Sequence, residues 1–155
     1  MDLRRLRTGE WLAAASGVAL LASLFLPWYD GLTAWESLTA IDVLLAFVAA
    51  SGVLLAIVTA AQGVPAVPVA LSALVTFVGL FGVVLVLIRV IDVPDGAAGR
   101  EWALWLSLAG AVGIVVGAMK AMGDERLSPA GSHTDLTGSP APPPAELEPI
   151  PPPRP

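Results

Sequence analysis

The chain has 155 residues, of which 56% are apolar and only 14% are charged, and its mean hydropathy is +0.80. This composition lies outside the range of soluble globular domains and favours an integral membrane protein. The net charge of −5 argues against a nucleic-acid partner, and the lack of cysteine excludes disulfides and thiolate metal sites in this chain.

The first apolar segment is uncharged over residues 11–29, which predicts a first membrane span with those bounds. Thr8 is a candidate N-cap, and Glu10 in the first turn faces the positive end of the helix. Residues 1–10 are then an N-terminal segment on the cytoplasmic side.

Arginines before this segment leave open a second interpretation, a cleaved signal peptide with three remaining spans. The arginines are Arg4, Arg5 and Arg7. The apolar segment is longer than the usual apolar region of a signal peptide, and its end lacks a small-x-small cleavage site. We therefore predict that the segment is retained as a span.

The run from Ser23 to Asp30 reads Ser-Leu-Phe-Leu-Pro-Trp-Tyr-Asp and is followed closely by Trp35. It resembles a Pro-Trp-Tyr element found after the first span in small four-span membrane proteins of high-GC bacteria. A bacterial source also agrees with the preference for arginine over lysine. The resemblance implies four spans, but it implies no particular activity and no site residues.

The loop after the first span, residues 30–40, contains Thr33-x-x-Glu36, a capping pattern that predicts a short interfacial helix. Aromatic residues are concentrated here and at the start of the last span: Trp28, Tyr29, Trp35, Trp102 and Trp105. We predict that they anchor the span ends at the lipid headgroups.

Acidic residues lie in or beside the same two loops: Asp30, Glu36, Asp42, Asp92, Asp95 and Glu101. An acidic, aromatic-lined pocket for a cation or a lipid headgroup is one alternative to the aromatic belt. A carboxylate pair for acid–base chemistry is another, although no histidine or serine–histidine pair lies near it in the sequence.

No ionisable side chain occurs between Asp42 and Arg89, a run of 46 positions. One span across about 30 Å of hydrocarbon needs only about 20 residues. The run is interrupted at residues 62–65, Gln-Gly-Val-Pro, and therefore predicts two spans, over residues 40–61 and 65–91.

The N-terminal end of the first of these spans and the C-terminal end of the second are predicted to lie on the same side of the membrane. Thr39-x-x-Asp42 has the form of a capping box, and Pro65 suits the first position of the second helix. We predict a structural ion pair between Asp42 and Arg89, with Asp92 as the alternative partner of the arginine.

A fourth span is predicted over residues 102–122, with Gly123 as its C-cap. Small residues recur on it at four-residue spacing: Ala109, Gly113, Gly117 and Ala121. Such a stripe lets helix backbones approach closely. We predict that it packs within the bundle, and contact with a second copy in a homodimer is the alternative.

The tail, residues 124–155, contains ten of the fourteen prolines. It has few large apolar residues, so we predict a disordered, proline-rich segment with polyproline II stretches. Pro149-x-x-Pro152-x-Arg154 fits the pattern of ligands for aromatic-lined grooves. The tail is therefore a solvated spacer or a docking site for a cytoplasmic partner.

Orientation follows from the arginine and lysine residues near the span ends. With four spans both termini lie on one side, which carries most of these residues: Arg4, Arg5, Arg7, Lys120 and Arg126. The other side has Arg89 and Arg100. The bias predicts cytoplasmic termini in a bacterial cytoplasmic (inner) membrane.

The sequence thus predicts an all-α membrane protein, a four-helix transmembrane domain over residues 11–123 embedded in the lipid bilayer. We predict a structural or partner-interaction protein that is not an enzyme and needs no cofactor or metal. A small transporter or channel subunit is one alternative, and a sensor using the acidic loops is another. The transporter alternative lacks the ionisable group in mid-span that ion coupling usually requires.

Overall fold

The computed structural model describes residues 6–37, 40–61, 66–93 and 99–126. Its elements in chain order are α1 (Thr8–Ser23), β1 (Pro27–Tyr29), β2 (Leu32–Thr33), α2 (Ala34–Ser37), α3 (Ile41–Ala61), α4 (Ala66–Ile91) and α5 (Trp102–Arg126). The described chain is mostly helical, as predicted.

Three of the helices are long and apolar enough to cross a membrane: Ile41–Ala61, Val67–Ile91 and Trp102–Gly123. Each is longer than the roughly 20 residues that the hydrocarbon core requires. The structure therefore supports a membrane protein with at least the three later predicted spans.

The four long helices form a ring in which α1 packs between α3 and α5, and α4 closes the opposite side between the same two helices. Consecutive helices run antiparallel. Two clusters of buried apolar side chains fill the ring. One lies along the shaft of the bundle and includes Leu20, Val48 and Ile114. The other includes Trp28, Leu45 and Leu104, and it fills the end of the bundle that bears β1 and β2.

The helix of the first predicted span ends before the boundary predicted at residue 29. The helix ends at Ser23, and Leu24 is its C-cap. Proline has no backbone N–H to continue a helix and disfavours helical geometry in the residue before it. Pro27 instead begins β1, so residues 24–29 are not helical.

Two predicted caps also differ in the structure. Arg7, not Thr8, is the N-cap of α1, and its backbone N–H donates to the Glu10 carboxylate. Gly123 does not end α5, which continues to Arg126. A glycine within a helix costs only about 1 kcal/mol relative to alanine, which the adjoining turns tolerate. Thr39 and Pro65 lie outside the described residues.

Candidate functional site at the β-hairpin end

The strands β1 and β2 form an antiparallel β-hairpin in which Tyr29 pairs with Leu32. Its turn is made by Asp30 and Gly31, with φ of 43° and 82°. Positive φ at both central residues is the geometry of tight hairpin turns, for which Asp-Gly is a preferred pair. Asp30-Gly31 is a local sequence signal for this hairpin, which the prediction of a helical span up to residue 29 did not include.

We call the end of the bundle that carries this β-hairpin, together with α2 and the neighbouring ends of α3, α4 and α5, the β-hairpin end. Trp28 fixes the hairpin to the helices. Its indole N–H donates to the Ser23 carbonyl at 2.8 Å, and its own carbonyl accepts the Glu101 N–H at 2.9 Å. One residue thus connects the end of α1 to the start of α5.

Tyr29 makes the second connection, to the end of α4. Its hydroxyl donates to the carbonyl of Arg89 at 2.6 Å. A backbone carbonyl can only accept a hydrogen bond, so the Tyr29 hydroxyl is the donor.

The residues just before α5 complete the attachment. The Glu101 carboxylate accepts the backbone N–H of Gly31 at 2.6 Å, in the turn of the hairpin. Arg100 donates to the carbonyls of Val90 and Ile91 at 2.5 and 3.5 Å. A cation is favourable there because the C-terminus of a helix is its negative end.

A short helix is present where it was predicted, as α2, which carries Trp35; its place at the membrane interface stays a prediction. The Glu36 carboxylate accepts from both the backbone N–H and the hydroxyl of Thr33, each at 2.9 Å. These two bonds lower the pKa of Glu36 because they stabilise the ionised form.

The predicted aromatic belt divides into two groups. Trp35, Trp102 and Trp105 are exposed, as an interfacial anchor requires. Trp28 and Tyr29 are fully buried, so they are structural core residues and not headgroup anchors. Trp28 and Tyr29 are buried because they belong to β1, and the β-hairpin packs against the ends of the helices.

Asp42 and Arg89 both lie at the β-hairpin end, as the helical hairpin of α3 and α4 predicts. The ion pair in the structure, however, joins Arg89 to Asp92 and not to Asp42. Nη1 of Arg89 lies 3.8 Å from Oδ2 of Asp92, the alternative partner, which sits one turn further along the chain. Within the described part of the chain, both carboxylate oxygens of Asp42 and Nε of Arg89 are buried without a hydrogen-bond partner.

The small-residue stripe of α5 packs against α1 within the bundle. A Cβ placed on Gly117 would lie 2.5 Å from the backbone nitrogen of Ala13, and one on Gly113 would meet the Ser16 side chain. Ala121 is buried, whereas Ala109 is exposed. Most of the stripe is therefore occupied by α1, and a second copy would have to displace that helix to use it.

Hydroxyl groups within the spans are mostly bonded to their own helices. Ser51, Ser72, Thr76 and Ser107 each donate to a carbonyl three or four residues earlier. Ser107 also shares a 2.7 Å hydrogen bond with Ser23 across α1 and α5. These hydroxyls therefore bond within the helices or between them.

The outer surface of α3 and α4 contains an apolar groove with a volume of about 340 Å³. Its lining residues are Leu44, Phe47, Val48, Phe77, Val78 and Phe81. We call this surface the α3–α4 face. The side chains of Phe47 and Phe77 are largely exposed on it.

Among the described residues, no group of three or more His, Asp or Glu side chains has the arrangement of a metal site. The predicted docking residues Pro149, Pro152 and Arg154 lie outside the described residues. Comparison of the chain with protein-family models, curated proteins and solved structures finds no match.

Proposed function

We propose that this chain is a four-span, non-catalytic membrane protein that binds a transmembrane helix of another protein through its α3–α4 face. The observation that carries the proposal is the uneven burial of the spans. Only 28% of the apolar window of α4 is buried inside the bundle, against 44% for α3 and for α5. The exposed side of α4 is thus the largest free surface among these three spans.

The groove on this face suits a protein partner because it offers a recess between large side chains. Membrane helices associate through close packing and lack a hydrophobic driving force in lipid. The small residues of α1 and α5 are already used within the bundle. A partner helix would instead insert a Leu or Phe side chain between Phe47, Phe77 and Phe81.

The proposed fourth span combines α1 with the segment that follows it. The 16 residues of α1 reach about 24 Å at 1.5 Å per residue, which is shorter than the hydrocarbon core. Non-helical backbone is tolerated at membrane depth where protein surrounds it. Trp28 and Tyr29 are fully buried, so residues 24–29 can complete the crossing.

We propose a bacterial inner-membrane location with both termini in the cytoplasm, on the charge bias of the span ends. The β-hairpin end would then face outward, and the proline-rich tail would lie inside. Buried apolar side chains fill the centre of the bundle, and most span hydroxyls donate to carbonyls of their own helix. This arrangement favours an interaction role over a small transporter or channel subunit.

The α3–α4 face is tested by photocrosslinking in native membranes. A photoreactive amino acid replaces Phe77 in one variant and Val18 in a matched control, since both side chains are exposed on spans. We expect a discrete protein adduct from position 77 and only lipid adducts from position 18. Lipid adducts alone from both positions would overturn the proposal.

A second arm removes residues 127–155 from the Phe77 crosslinking variant. The adduct should persist, because the contact is made within the membrane. Loss of the adduct would show that the tail, and not the α3–α4 face, holds the partner.

A further inference from the structure

We propose that Asp42 is a proton-binding residue and that its protonation state selects the carboxylate that Arg89 contacts. With the proton bound, Arg89 stays with Asp92, as in this structure. With the proton released, the guanidinium turns inward to Asp42. This inference is independent of the partner-binding proposal, because it concerns only the β-hairpin end.

The surroundings of Asp42 favour its neutral form. The residue is fully buried, one turn before the core residue Leu45, and neither carboxylate oxygen has a hydrogen-bond donor within the described chain. An ionised carboxylate without a partner is costly in an apolar site, and such groups take up a proton instead.

Arg89 lies at the same end of the bundle as Asp42, and we take it as the cation that responds when the proton leaves. Its contact with Asp92 is long, and the Asp92 side chain is 76% exposed. An ion pair to a solvent-exposed carboxylate contributes little to stability, so little holds the guanidinium on Asp92. Its buried Nε is a free donor for an inner acceptor.

Among the described residues of the β-hairpin end, Tyr29, Glu36, Arg100 and Glu101 have hydrogen-bond partners of their own. The Tyr29 hydroxyl donates to the carbonyl of Arg89, so the backbone of α4 is held while the side chain turns. Arg100 donates to the end of α4, and Glu101 accepts from Gly31. In the part of α1 that reaches this end, Val18–Ser23, the sequence has no charged residue.

The exchange is balanced by a single proton. The Asp42 O–H bond breaks, the proton passes to water at the membrane surface, and Arg89 keeps its charge throughout. The β-hairpin end becomes more negative by one charge, and a buried ion pair replaces an exposed one. The pH at this membrane surface therefore determines which carboxylate the Arg89 side chain of α4 contacts.

The test is difference infrared spectroscopy of the full chain in lipid nanodiscs, between mildly acidic and mildly alkaline buffers. We expect the wild type to lose the C=O stretch of a protonated carboxylic acid on going to alkaline buffer. Asp42→Asn should abolish this difference band, whereas the matched variant Asp92→Asn should keep it. A band that survives in Asp42→Asn, or no band in the wild type, would overturn the proposal.

A second measurement keeps the test decisive if Asp42→Asn does not fold. In wild-type protein, solid-state NMR measures the distance between the Arg89 guanidinium and the Asp42 carboxyl carbon. The distance should shorten in alkaline buffer while the distance to the Asp92 carboxyl carbon lengthens. Two distances that do not change with pH would contradict the exchange of partners.

Discussion

At the scale of single residues, Tyr29 shows how a few polar contacts position the β-hairpin end. Its hydroxyl is the group that ties the hairpin to the last turn of α4, and it does so through the carbonyl of Arg89. This carbonyl is partly buried, and a polar group that loses its partner in such a place costs free energy. The bond therefore contributes both stability and the orientation of the α4 terminus.

Tyr29→Phe should lower the free energy of unfolding by about 1 kcal/mol, the typical contribution of one buried hydrogen bond. The measurement is thermal unfolding in detergent, with Trp102→Phe as the control because Trp102 is exposed. Equal melting temperatures for Tyr29→Phe and the wild type would show that the contact does not stabilise the fold.

Glu36 provides a pH-dependent contact at the same scale. Its pKa is lowered by the two bonds from Thr33, so the carboxylate form is the one that the cap requires. The stabilisation is present above the ordinary pKa of glutamate and is lost as the pH falls through the lowered value.

The amide resonance of Thr33 should therefore titrate with a midpoint below the ordinary glutamate range, as measured by NMR. In Glu36→Gln the same resonance should be independent of pH over that range. A midpoint at the ordinary value in the wild type would mean that the cap does not form.

At the scale of elements, the contact between α1 and α5 depends on the absence of side chains. Gly9 of α1 lies against the backbone of α5, and Gly117 of α5 lies against the backbone of α1. A Cβ added to either glycine would lie within 3 Å of backbone atoms of the other helix. Backbone atoms cannot move aside as the end of a side chain can. This contact gains its stability from dispersion over a long, close interface.

Gly117→Ala should destabilise the protein by about 1–3 kcal/mol, the usual cost of overpacking, despite the better helix propensity of alanine. Gly123→Ala on the same helix is the matched control, since nothing lies within 4 Å of its added Cβ. Thermal unfolding in detergent compares the two. A Gly117→Ala protein as stable as the control would refute close packing of α1 on α5.

At the scale of the whole molecule, the number of spans decides which surfaces face which compartment. If α1 and residues 24–29 cross the membrane, the two termini lie on one side. If they do not, the termini lie on opposite sides. The chain contains no cysteine, so single introduced cysteines report this without background.

Ser37→Cys should react with an impermeant thiol reagent from outside intact cells, whereas Thr8→Cys and Ser132→Cys should react only after lysis. Labelling of Thr8→Cys from outside with Ser132→Cys protected would give three spans. The reverse pattern for Ser37 and Ser132 would overturn the orientation.

The spans themselves could be predicted because bilayer thickness sets their length, and charges or the sequence Gln-Gly-Val-Pro at residues 62–65 mark their ends. The bounds predicted for α3 and α4, residues 40–61 and 65–91, differ from the observed helices by one residue at their N-terminal ends. The helix predicted for the first span was too long, because apolar content alone does not separate helix from strand. Pro27 and Asp30-Gly31 were the local signals that indicate the β-hairpin.

The sequence by itself determined that this is a membrane protein, where three of its spans run, and that α3 and α4 carry no charge between Asp42 and Arg89. Only the tertiary structure decided that Trp28 and Tyr29 are buried, that α1 covers the small-residue stripe, and that Arg89 contacts Asp92. In water a buried face differs from an exposed face by its hydrophobicity, but in lipid both faces are apolar. Which face meets a neighbour is therefore decided by shape and by a few hydrogen bonds.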